Sequence, residues 1–182
     1  RCLVGSEMCI RDRYMSDQVS SLFSLAHSLL TLGQDGSPIY VDSFTRLNRD
    51  VYESALNSYG KHGSTPEAEA ELCLGLLVAF NATMYDNGHK QEYIQKVLER
   101  ALNVLPLIPA SLLKVRLLTY CYGEVYAEEL AKEAHAIIDS WGTFRLTAEQ
   151  KEVMEELKNI EENPYPWEDC LLYTSPSPRD IS

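Results

Sequence analysis

Apolar residues return every three or four positions along most of this chain, and short polar runs with glycine or proline separate the periodic stretches. That spacing predicts helices. Val19, Leu22, Phe23, Ala26, Leu29 and Leu30 form a first stripe, with Ser16 as its cap and Gly33 at its end. A second helix starting near Asp42 or Ser43 turns Phe44, Leu47, Val51, Ala55 and Tyr59 inward. Its wet side carries Arg46–Asp50 and Arg49–Glu53 at i,i+4 spacing. Ser64-Thr65-Pro66-Glu67 reads as a capping box from Ser64 to Glu67. It opens a third helix over about 65–85 that buries Leu72, Cys73, Leu76, Leu77, Phe80 and Met84. A fourth, over about 89–104, sets Ile94, Val97, Leu98, Ala101 and Leu105 against a wet face of Glu92, Lys96, Glu99 and Arg100, and Pro106 stops it.

The stretch Pro109–Trp141 reads as the centre of the arrangement. Ala110–Tyr122 carries only Lys114 and Arg116 as charges, and its apolar residues spread over more than one face, as in a helix inside a bundle. Leu130, Ala134, Ile137, Ile138 and Trp141 then mark a one-sided helix that leaves Glu128, Glu129, Lys132, Glu133 and Asp139 to water. Gly123, without a Cβ, is the expected joint between the two. Thr147 and Gln150 form another capping box, before a last helix over about 148–161 with Val153, Met154, Leu157 and Ile160 inward. Asn163-Pro164-Tyr165-Pro166-Trp167 cannot extend it and favours an extended arm.

No stretch alternates as a strand would. The expected fold is therefore all-α, a single-domain bundle of about seven helices. Tyr85, Leu98, Ala101 and Pro106 have the spacing of a tetratricopeptide unit, but the leading tryptophan and the glycine of that motif are missing. Helix hairpins stacked in a weakly tetratricopeptide-like way are expected, without membership of that class.

The two ends change the global figures. RCLVGSEMCIRDR at 1–13 and CLLYTSPSPRDIS at 170–182 look like translated sequencing-adapter read-through, and neither has helical periodicity. Residues 15–169 are the expected domain, with 1–14 and 170–182 as tails outside it. The tails hold Arg1, Arg11, Arg13 and Arg179 against Glu7, Asp12 and Asp180. Without them the 16 basic and 27 acidic residues become 12 and 24, so the net charge moves from −11 to −12. Such a charge opposes duplex nucleic acid, whose binding rests on neutralising phosphates. It suits solubility or a basic protein partner. Of five cysteines only Cys73 and Cys121 fall inside the domain, both in apolar runs, which gives neither a disulfide framework nor a metal knuckle. No apolar run reaches the roughly 20 residues needed to span a bilayer. From Met15 the start, MSDQ, lacks a basic leader, so a cytoplasmic protein is expected.

Chemistry is sparse in this pattern. His27, His62, His89 and His135 fall on separate elements, without HExxH or the spacing of a helical di-metal site. There is no GxSxG, P-loop or GxGxxG. Glu128/Glu129, Glu155/Glu156 and Glu161/Glu162 are adjacent on helices, where neighbours diverge by about 100°, and read as solvated surface. No catalytic residue, metal or cofactor is expected. Tyr120, Tyr122 and Tyr126 cluster at the central joint, and tyrosine serves both cores and interfaces. The aromatic arm with Tyr165 and Trp167 docks either on its own domain or on a partner.

MSDQVSSLFSLAHSLLTLGQDGSPIYVDSFTRLNRDVYE at 15–53, YDNGHKQEYIQKVLER at 85–100, PASLLKVRLLTYCYGEVYAEELAKEAHAIIDSW at 109–141 and EENPYPW at 161–167 together resemble the UpxZ family of transcription antitermination antagonists of Bacteroidales. The resemblance runs in order from Met15 to about Asp169. It implies a regulatory inhibitor, not an enzyme. Its partner would be a NusG-like, UpxY-type antitermination factor of another capsular polysaccharide locus. A negative, tyrosine-bearing face would suit the basic and apolar surfaces of such a factor, with charge setting partner choice and encounter rate. The candidate contact residues are Tyr122, Glu124, Tyr126, Glu128 and Glu129 at the joint and Tyr165 and Trp167 on the arm, followed by Asp42 and Arg46 on the second helix. A helical-repeat adaptor for an unrelated peptide is the alternative. A small-molecule enzyme and a direct nucleic-acid binder rank below it.

Overall fold

A computed structural model of the chain describes residues 3–142 and 144–163, with residues 3–16 described by their backbone alone. Seven α-helices and one 3-10 turn account for the secondary structure of these residues. They are α1 (Leu3–Leu30), α2 (Val41–Tyr59), α3 (Pro66–Ala82), α4 (Lys90–Val104), α5 (Leu112–Val125), α6 (Glu128–Ser140) and α7 (Ala148–Glu162), with the 3-10 turn at Leu105–Leu107. The all-α single domain expected from the periodicity is what forms.

The helices make two layers. α1, α3, α5 and α7 lie side by side, each packed on the next. α2 sits over α1 and α3, α4 over α3 and α5, and α6 on α5. Direction alternates along the chain. Gln18, midway along α1, accepts a hydrogen bond from Lys61, just beyond the end of α2, whose start follows the end of α1. Ile160 near the end of α7 meets Gly123 near the end of α5. Odd-numbered helices therefore run one way and even-numbered helices the other.

The innermost helix is α3, not the stretch at 110–122. Nine of its seventeen residues are buried, including Leu72, Cys73, Leu74, Gly75, Leu76 and Leu77 in succession. A helix apolar all round needs neighbours on every side, and α3 touches α1, α2, α4 and α5. α5 is the second hub, covered by α3, α4, α6 and α7. The difference lies in two long side chains. Lys114 and Arg116 leave part of α5 polar, whereas α3 carries no charge between Glu71 and its end.

Local starts and stops differ in detail. α1 runs unbroken through Ser16, which is therefore no cap. Thr65 rather than Ser64 caps α3, its side chain accepting from the Ala68 amide at 3.2 Å, and Pro66 occupies the first turn. Ser111 caps α5 by accepting from Lys114 N at 3.2 Å. The capping box of α7 forms as expected: Gln150 N donates to Thr147 Oγ1 at 3.1 Å and Thr147 N to Gln150 Oε1 at 2.9 Å.

α3 ends at Ala82, so Met84 leaves the helical register and is 70% exposed rather than buried. Arg49 lies 3.7 Å from Asp50 on the surface of α2, in place of its expected pairing with Glu53. Gly123 does not turn the chain. It lies inside α5, and the turn falls at Tyr126, which takes the left-handed conformation at φ 51°. Gly123 serves a close approach instead, since a Cβ there would stand 3.3 Å from Ile160 Cδ1.

Three polar devices hold the layers in register. Arg100 turns inward from α4. Its Nη1 donates to Tyr59 O at 2.8 Å, its Nη2 to Lys61 O at 2.7 Å and its Nε to Glu69 Oε1 at 2.9 Å. Glu69 Oε2 also accepts from the Gly63 amide at 2.6 Å, so one ion pair joins α2, α3, α4 and the loop between α2 and α3. Buried Asn48 on α2 accepts from the Met84 and Tyr85 amides at 2.8 and 3.2 Å and donates to Tyr85 O at 2.8 Å, pinning the α3–α4 loop. Lys114 on α5 is buried and reaches Glu133 on α6 at 2.7 Å. Arg100 and Glu133, both expected on the wet side, are thus structural.

Candidate protein-binding surface

Those candidate contact residues that the structure describes gather at one end of the layers, where the odd helices finish and the even helices begin. Asn81, one residue from the end of α3, donates to the Glu124 carboxylate near the end of α5. Phe44 in the first turn of α2 and Asn48 one turn further on both meet the loop leaving α3, at Tyr85 and at the Met84 and Tyr85 amides. Asp42 and Arg46, in the first turns of α2 and both exposed, therefore share this end with the α5–α6 joint.

Within the joint the residues are not equally available. Tyr122 is only 9% exposed and belongs to the core; its ring meets Tyr126 edge-on with centroids 5.9 Å apart. Glu124 is half-buried and held by Asn81. Tyr126 keeps part of its ring in solvent. Glu128 and Glu129 are exposed in the first turn of α6, where carboxylates complement the positive end of the helix dipole. Glu128 accepts from Lys132 at 3.3 Å, a surface pair of small energetic weight. Tyr165 and Trp167 lie outside the described residues.

Two groups missed in the sequence belong to the same end. Tyr85, 61% exposed, packs edge-on against Phe44 at 5.9 Å, and Met84 stands exposed beside it. On the other side a groove of about 560 Å³ runs from Gly123 and Tyr126 along α7, lined by Glu152, Glu155 and Glu156. Glu155 and Glu156, read as diverging surface carboxylates, share this groove. The signal lay in the i,i+4 spacing of Glu152 and Glu156 rather than in the adjacent pair. Burial, then repulsion from Glu152, raises the Glu156 carboxyl above its ordinary range against the opposing pull of Arg116.

Among the described residues no three His, Cys, Asp or Glu side chains converge on a point that could hold a metal. Burial pushes the thiols of Cys73 and Cys121 up to about 12, the opposite of an activated nucleophile. His62, His89 and His135 each sit beside a glutamate, at 3.3, 3.5 and 2.7 Å from Glu69, Glu92 and Glu161. No helix among the described residues is long and apolar enough to cross a membrane.

Fold and surface together define an all-helical protein that presents acidic and aromatic faces to the outside. The comparisons with known proteins narrow this to one family. A model of the UpxZ family of transcription anti-terminator antagonists matches residues 19–123. A crystal structure of a transcription anti-terminator antagonist UpxZ from Bacteroides uniformis ATCC 8492 matches with a TM-score of 0.75 and 46% identity, covering 85% of this chain and 97% of that one. A search of curated proteins finds no match. The chain belongs to the UpxZ family of transcription anti-terminator antagonists.

Proposed function

We propose that this protein is a cytoplasmic regulator that binds NusG-like, UpxY-type antitermination factors of other capsular polysaccharide loci and blocks them. The observation that carries the reading is the family match together with 46% identity over nearly the whole of a UpxZ structure. The protein acts by occupying its partner, with no chemical step, and needs no cofactor. A net charge of −11 supports a basic partner surface over nucleic acid.

The contact end comprises Tyr126, Glu128 and Glu129, with Asp42 and Arg46 on α2. Tyr122 and Glu124 support it from beneath through the Tyr126 ring and Asn81. Tyr165 and Trp167, next in the chain after this end, complete the proposed surface.

Co-purification of the tagged protein with a panel of cognate and non-cognate NusG-like factors is the test. Capture of non-cognate factors is expected, and a sample that captures none refutes the reading. Glu128→Lys with Glu129→Lys is expected to weaken capture at unchanged helical circular dichroism. Glu124 is left intact in that variant because reversing it would break the bond from Asn81.

A further inference from the structure

The groove beside Tyr126 is one end of a longer channel. A hollow of about 330 Å³ between α1, α3 and α5 shares Phe23, Leu74 and Arg116 with a second of about 190 Å³. The second shares Glu152 and Glu156 with the groove of about 560 Å³ along α7. No residue of α2, α4 or α6 lines any of the three. Among the described residues the channel is thus bordered by the odd-numbered helices and the turn at Tyr126, from α1 to α7.

Its chemistry is consistent along its length. Phe23, Leu74 and Val78 make an apolar floor. Glu71, Glu152, Glu155 and Glu156 stand on its rim, and among the described lining residues Arg116, 3.9 Å from Glu152, is the one cation. Surplus carboxylates beside an apolar floor favour an occupant with cationic side chains between apolar ones. A second copy of this chain, itself at −11, would add to the surplus. Phe23 of α1 and Glu152, Val153 and Glu156 of α7 border the same hollow of about 190 Å³, so the outer helices of the layer both reach the middle of the channel.

We propose that this channel seats a segment of the antitermination partner that carries lysine or arginine among apolar side chains. The proposal rests on the partner named above and places its contact across the whole odd-numbered layer, with the Tyr126 end as one terminus.

The test uses the full chain and a factor that it captures. Glu152→Lys with Glu155→Lys, both exposed positions, is expected to lower affinity at least about tenfold at an unchanged melting temperature. Glu99→Lys, on the opposite layer, is expected to leave it unchanged. A photo-crosslinking side chain introduced as Glu155→p-benzoylphenylalanine is expected to mark a basic segment of the factor. If wild-type protein captures no factor, the underlying reading fails and the channel assignment with it. If wild type and the Glu152/Glu155 variant bind equally, only the channel assignment fails. Crosslinks to a second copy, or to residues of this chain beyond Asn163, also overturn it.

Discussion

Replacing Arg100 with methionine removes a pivot while keeping much of the aliphatic stem in place. In the folded protein its guanidinium serves Tyr59 O, Lys61 O and Glu69, and the Arg100 and Glu69 side chains are only 18% and 16% exposed. The variant leaves a largely buried carboxylate without its cation and two carbonyls without their donors. Breaking one partner out of a buried pair costs about 3–5 kcal/mol, and the residual exposure here argues for the lower end, ~3 kcal/mol. For a domain of this size that is a fall of about 6–12 °C in melting temperature. The effect carries a pH signature. In the wild type, burial raises the Glu69 carboxyl, but the Gly63 amide and Arg100 outweigh it, so the folded value lies below the ordinary 4.5. Its contribution is present above that ordinary value and lost as pH falls through the folded one. In Arg100→Met the burial remains and the cation is gone, so the carboxyl rises and acid relieves the strain. The difference between wild type and variant, measured by urea denaturation followed with circular dichroism, should be largest near pH 7 and shrink below about pH 4.5. A difference under about 1 kcal/mol at neutral pH, or one independent of pH, would refute the assignment of a desolvated ion pair.

Gly75 and Gly63 separate two uses of glycine. A Cβ at Gly75, in the middle of α3, meets Phe23, Val19 and Leu22 at 3.6–3.7 Å, so Gly75→Ala should gain about 0.5–1 kcal/mol in denaturation experiments. At Gly63 the same atom would lie 2.1 Å from Glu69 N and 2.4 Å from Ala68 C, so Gly63→Ala should lose more than about 2 kcal/mol and disturb the Arg100 network. Thr119, 1% exposed on α5, has a hydroxyl without a hydrogen-bond partner among the described residues, and Thr119→Val should raise the melting temperature by about 2–4 °C. Cys73 and Cys121 should resist alkylation at pH 8 until the protein is unfolded, as read by mass mapping. As pH climbs past their ordinary value toward about 12, the unfolded chain ionises first and stability falls.

Periodicity located every helix because each buries a stripe, and stripes are local. Val51 and Ala55, Ile94 and Val97, and Val153 and Leu157 lie inside as their spacing required. Relations between helices were less accessible. Arg100 looked like a wet residue because its charge sits at the margin of the Ile94–Val97 stripe; only the meeting of α2, α3 and α4 brings acceptors to it. Met84 was one residue beyond a turn that Thr83 makes. For the surface, the sequence pointed to the α5–α6 joint through its tyrosines and glutamates. It could not show that Tyr122 lies beneath Tyr126, nor that Phe23, Leu74, Arg116 and Glu152 from four separated helices border one channel.

The principal packing joins helices no more than two places apart along the chain. Such an assembly behaves like a row of tiles in which each holds only its neighbours, and loosening spreads inward from the margin. The marginal tile described here is α7, seated mainly on α5, and it is also the glutamate-bearing wall of the channel. Among the described helices, amide exchange is therefore expected to be fastest in α7, and to slow there once a partner segment fills the channel.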